Sequence, residues 1–191
     1  KLIEMTAETY QDADQTGGAS DDDIFGFTSN YFHLEAFYSG SGMMLLEPDT
    51  DGKVLKISDD YLSQKTIDLV DKLGSWFKSG DTYVNPSGGG LDYDAPFEEG
   101  NALFCLNRVY MADNQYGGGS APLRNADWEY GILPVPNRGE AHDYFCYVAG
   151  GNHRPLSFPA NLKDVENAML ITEATAYYSR FTSNENNTSL R

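Results

Sequence analysis

The chain has 191 residues, enough for one large domain or one and a half small ones, and 40% hydrophobic with 13% aromatic residues make an ordered core expected over most of it. Thirteen basic against 29 acidic residues leave a net charge of −16, which would repel phosphates and argues against a nucleic-acid surface. No apolar run approaches the roughly 20 residues that span a bilayer, and two cysteines are too few for a disulfide scaffold.

Leu2, Ile3, Met5, Thr6, Thr9 and Tyr10 recur at helical spacing and predict a first helix. Residues 11–23 form a polar, glycine-containing loop. Residues 24–27 read as a short strand, and 30–38 as an aromatic helix ended by Gly40 and Gly42. Apolar runs at 43–46 and 54–57 flank Pro48-Asp-Thr-Asp-Gly52, a hairpin signal with Asp-Gly in its turn. Ser58 or Asp59 then caps the clearest helix, whose apolar face is Leu62, Thr66, Leu69, Val70, Leu73, Trp76 and Phe77. Trp76 on that stripe is expected in the core, and Gly80 ends the helix. Residues 85–90 are glycine-rich but lack the Lys and Ser/Thr spacing of a phosphate cradle.

The most informative stretch is Ala95-Pro-Phe-Glu-Glu-Gly-Asn-Ala-Leu-Phe-Cys-Leu-Asn-Arg-Val-Tyr110. It reads as a short helix, a stop at Gly100 where positive φ is cheap, and a strand over 102–106 covered on both faces. Asn107, Arg108 and Tyr110 emerge at that strand's carboxyl end, where open α/β sheets bind ligands. Beyond it come a flexible loop at 117–122 and a strand at 128–133 ended by Pro134. A further strand follows at 144–149, then Gly150-Gly151, a helix over 162–178 capped by Asn161, and a polar tail from 182. That last helix is apolar most of the way round, a pattern that expects burial on more than one side. Cys105 and Cys146 lie in apolar strand contexts and read as buried free thiols.

Phe97-Glu-Glu-Gly100 with Ala102 and Leu103 before a strand, then Tyr130-Gly-Ile-Leu-Pro-Val-Pro136, resembles the extracellular solute-binding proteins of ABC importers, of the maltose-binding or carbohydrate-binding type. The likeness follows the order of elements along nearly the whole chain. It implies an α/β, periplasmic-binding-protein-like lobe, three-layered (α/β/α) with a mixed sheet, as part of a two-lobe fold. On that mapping residues 1–144 form most of the second lobe, 145–155 a crossover at the hinge, and 156–191 a helical segment of the first lobe with a disordered tail. The chain would then be a fragment, with no initiating Met. The resemblance implies a non-enzymatic binder that delivers an oligosaccharide or other small solute to ABC permease subunits. It also implies a place outside the bacterial cytoplasmic membrane, as a tethered lipoprotein whose N-terminal anchor is absent here or as a periplasmic protein.

Sugar sites stack aromatic rings on pyranose faces and use planar polar groups for hydroxyls. On the resemblance Tyr110 takes one ligand-stacking position and Tyr31, with Asn30 beside it, a second. Tyr31 on a helix face reads equally as a core tyrosine. Asn107 and Arg108 are the hydrogen-bonding candidates, and Arg108 also suits a carboxylate. Trp128 stands open between core and site.

Residues 12–23 have the spacing of an EF-hand loop. Asp12, Asp14, Thr16 and Ser20 fall at positions 1, 3, 5 and 9, the Gly18 carbonyl at 7, Gly17 at the turn, and Asp23 at 12. Some solute-binding proteins of the type the chain resembles carry a calcium loop at this point with an acid pair at positions 9 and 10 of the loop; here the acids start at Asp21. Two readings stand, a structural calcium site and a solvated acidic turn. Competing functions are a glycoside hydrolase drawing on Glu98, Glu99 or Glu129, which needs two carboxylates about 5–10 Å apart, and a calcium-stabilised adhesion or scaffold module. His33, His142 and His153 lack metal-ligand spacing, and no nucleophile elbow accompanies them.

Overall fold

The structure, a computed structural model, describes residues 1–86, 90–112, 123, 126–138 and 156–179. The side chains of Tyr110 and Ser179 are outside that description, as are the expected loop at 117–122, the strand at 144–149 with Cys146, Gly150, Gly151, His142, His153 and the tail from 182. The chain divides into two compact units, Lys1–Asn107 with Ala126–Tyr147 and Arg108–Asn125 with Val148–Arg191.

The first unit is mixed α/β. Its elements are helix α1 (Leu2–Met5), strand β1 (Phe25–Asn30), helix α2 (Glu35–Gly40), strands β2 (Leu46–Pro48) and β3 (Leu55–Ile57), helix α3 (Gln64–Phe77), strand β4 (Thr82–Asn85), helix α4 (Ala95–Glu98) and strand β5 (Ala102–Leu106). Strands β4, β1 and β5 form a parallel sheet in that order, with Phe27 opposite Thr82 and Phe104. Strands β2 and β3 make the expected hairpin, with Leu46 opposite Ile57.

Aromatic packing holds the helices on the sheet. Phe27 lies 4.6 Å from the Trp76 ring and 6.0 Å from Phe37, joining β1 to α3 and α2. Leu2, Ile3, Leu73, Phe77, Phe104 and Val135 pack around this cluster. Trp76 is 4% exposed, as its place on the helical stripe predicts, and its indole donates to Thr6 Oγ1 at 2.9 Å. The approach of α1 to β1 is close enough that only glycine fits at position 26. A Cβ there would stand 2.6 Å from both Thr6 Cβ and Thr6 O.

Several boundaries differ from the sequence reading. The first helix is one turn, and the segment at 30–38 splits into a 3₁₀ turn (Tyr31–His33) and α2. Helix α3 starts at Gln64 with Ser63, not Ser58 or Asp59, at its N-cap; Ser58 Oγ accepts from Asp60 N in the preceding turn. Leu62 therefore lies outside the helix and is 85% exposed. Strand β5 has no partner beyond β1 among the described residues, so Leu103 is 55% exposed rather than covered. Residues 128–133 form no ladder; Trp128 anchors this stretch instead, edge-on to Phe97 at 5.1 Å and donating to Glu98 O at 3.3 Å.

In the second unit a 3₁₀ turn (Val109–Ala112) is followed by helix α5 (Val165–Ser179). Asp164, not Asn161, caps α5 by accepting from Asn167 N at 3.1 Å. Met169, Leu170 and Ile171 on α5 are exposed. No described helix is long and apolar enough to cross a membrane.

Candidate functional site

Parallel pairing brings the carboxyl ends of β4, β1 and β5 to one edge of the sheet. Asn30 is in register with Asn85, and Asn107 follows Leu106, the partner of Ser29. Three asparagines therefore end three adjacent strands. Asn30 Oδ1 accepts from Phe32 N at 3.3 Å, which caps the 3₁₀ turn. That turn puts Tyr31 on the surface, 48% exposed, with Phe32 edge-on at 5.5 Å. The core reading of Tyr31 is thereby set aside. Asn85 donates through Nδ2 to Leu91 O. Arg108 and Tyr110 belong to the second unit, where the Arg108 carbonyl accepts from Met111 N at 3.2 Å.

Behind the asparagines lies a polar network that the sequence reading missed. Asn107 Nδ2 donates to Asp94 Oδ1 at 2.6 Å, and the Tyr93 hydroxyl donates to Asn107 Oδ1 at 3.4 Å. His33 is buried, edge-on to Tyr93 at 5.5 Å. Its Nδ1 lies 3.2 Å from Leu106 O; a carbonyl only accepts, so Nδ1 carries the proton. Burial, reinforced by Asp92 and Glu98, pushes the Asp94 carboxyl up to about 7. Glu98 is also raised, chiefly by burial. Burial pushes the Cys105 thiol up to about 12, which disfavours the thiolate.

Loop 12–23 is closed at its base by an antiparallel bridge between Gln11 and Ile24, with both backbone hydrogen bonds at 3.1 Å. Within it the carboxylates of Asp12, Asp14 and Asp23 converge, each offering an oxygen within 4.8 Å of the others. Asp23 is fully buried and accepts from Ala13 N, Ser20 N and the Tyr10 hydroxyl. Asp12 accepts from Thr16 N and Gly17 N, with Gly17 at φ +75° making the turn. The hydroxyl and amide of Thr16 hold Asp14 below its ordinary range. Thr16 Oγ1 also lies 3.4 Å from Gly18 O, and Ser20 Oγ is buried with no partner at hydrogen-bond distance. Asp21 has an exposed side chain outside the carboxylate cluster; its carbonyl accepts from Asn101 Nδ2 at 3.1 Å. Three carboxylates at this spacing repel one another, and oxygen ligands at positions 1, 3 and 12 suit a hard divalent cation.

A concavity of about 590 Å³ runs along β5 and is walled by Phe97, Trp128 and Tyr130. Trp128 both packs against α4 and lines this concavity. Comparison of the chain with protein families, with curated proteins and with solved structures gives no match in any of the three. The class that the fold itself defines is a mixed α/β protein with a parallel three-stranded sheet.

Proposed function

We propose that this chain is chiefly one lobe of an extracellular solute-binding protein that hands a neutral oligosaccharide to an ABC importer. The observation that carries the reading is the row Asn85, Asn30 and Asn107 at the carboxyl ends of β4, β1 and β5, with exposed Tyr31 beside it. Amides both donate and accept, as sugar hydroxyls do, and an exposed ring beside them offers a stacking face. Asp12, Asp14 and Asp23, with Thr16, Gly18 and Ser20, would hold a structural calcium ion, and Asp21 would stay outside its shell. On this reading the protein works outside the cytoplasmic membrane, as a periplasmic or lipid-tethered binder, beside its permease.

The test is amide NMR of the chain titrated with mono- to hexasaccharides to 10 mM, a range in which even one lobe's weak binding is seen. Shifts confined to Tyr31, the three asparagines and their neighbours support the reading. Shifts elsewhere, or none with any sugar, refute it. Product analysis of the same samples separates the classes, because release of smaller sugars would make the chain a hydrolase.

A further inference from the structure

We propose that Asp94 is the positioning residue of the solute site: its carboxyl fixes which way the Asn107 amide faces, and so which hydrogen bond Asn107 presents to a solute hydroxyl. The inference rests on the solute-site reading and adds a residue that touches the solute only through another.

The argument begins with donor and acceptor inventories. An amide turned by 180° exchanges its oxygen and its NH2. Asn107 is held from two sides, by Asp94 Oδ1 at Nδ2 (2.6 Å) and by the Tyr93 hydroxyl at Oδ1 (3.4 Å). A hydroxyl donates or accepts and so permits either orientation. A carboxylate only accepts, and therefore demands the NH2. Ionised Asp94 selects one orientation; protonated Asp94 can donate and tolerates both. Of these two partners, Asp94 is the one that selects an orientation.

The geometry also places Asp94 where its charge state is adjustable. It precedes α4, half-buried, at the end of the turn that carries Tyr93. Among the described residues the titratable groups that face it are Asp92 and Tyr93 from its own segment, Glu98 from α4 and Cys105 from β5. His33 stands behind Tyr93. Burial and the two acids oppose ionisation, which moves the change of state into the neutral range. The site is thus ordered above neutrality and loosened below it.

Two measurements test this on the whole chain, wild type and Asp94→Asn. In sugar-free protein, the side-chain amide signals of Asn107 should titrate with a midpoint near 7 in the wild type and stay flat in the variant. With maltotriose as probe, wild-type affinity should be about fivefold higher at pH 8.5 than at pH 5.5, the worth of one net hydrogen bond. The variant should show no such pH dependence. Flat Asn107 signals in the wild type overturn the proposal whatever the sugar does. Maltotriose binding with the same pH profile in both proteins overturns the positioning role and leaves the solute site standing. Absence of binding by the wild type at either pH removes the site and the proposal together, and in that case a titrating Asn107 shows that the failure lies in the solute reading.

Discussion

Calcium should raise the unfolding temperature of this chain through the loop at 12–23, and Asp14→Ala should abolish the rise. The three converging carboxylates are stabilised by a cation and repel without one. With an affinity of about 10⁻⁴ M, as in extracellular modules, 1 mM calcium adds about 1.4 kcal/mol to the folded state. For a chain of 191 residues that corresponds to a midpoint shift of about 3–6 °C. Asp14 is the informative position because its side chain is exposed and its strongest hydrogen bonds are local ones, to the amide and hydroxyl of Thr16. Asp23, by contrast, is buried and holds two loop amides, so its loss would confound folding with metal binding. The assay is scanning calorimetry in EDTA, in 1 mM calcium and in 1 mM magnesium, which a loop of this size should hold far less well. Equal midpoints in EDTA and calcium for the wild type would refute the argument and leave a solvated acidic turn. An undiminished calcium shift in Asp14→Ala would place the ion elsewhere.

Trp76→Ala should cost about 3–5 kcal/mol, because the ring fills the space between Phe27 and Phe37 and its indole holds Thr6; urea unfolding measures it, and a loss below 1 kcal/mol would contradict the packing. Cys105 should resist thiol reagents at pH 8 in the folded chain and react on unfolding, read by peptide mass mapping, since burial pushes its thiol up to about 12. Asp94 is raised in the folded state to about 7 from 3.8, so its contribution to stability is full below pH 3.8 and is lost as pH rises to 7. Asp94→Asn should therefore flatten the decline in midpoint between pH 4 and 7, and an unchanged slope would show that Asp94 ionises normally.

What the sequence disclosed was whatever depends on neighbours along the chain. Gly100 marks the end of α4 at φ +80°, and the apolar run 102–106 marks β5, because a stop residue and a strand-length run are local signals. The hairpin followed from Asp51-Gly52, with Gly52 at φ +67°. What stayed hidden depends on register. Asn85 looks like the start of a loop until β4 pairs with β1 and sets it beside Asn30. Asp21, Asp22 and Asp23 are chemically identical in the sequence, yet the Gln11–Ile24 bridge turns only Asp23 inward. Asp94 escaped notice because its shifted ionisation comes from burial, which no spacing announces.

The loop and the proposed solute site lie at opposite ends of the same two strands, and this limits what a calcium ion in the loop could do. Asp23 stands two residues before β1, while Asn101 immediately precedes β5 and donates to the Asp21 carbonyl. The loop thus ties together the amino-terminal ends of β1 and β5. Asn30 and Asn107 stand at the carboxyl ends, about 17 Å away for a strand of this length. A calcium ion at Asp12, Asp14 and Asp23 cannot reach a solute there, nor shift the ionisation of Asp94 strongly across more than one screening length in salt. Its effect would be on folding stability rather than on the arrangement of the carboxyl ends. Maltotriose affinity measured well below the midpoint should therefore be the same in EDTA and in calcium, whereas a cation-dependent affinity would require the strands to transmit order from one end to the other.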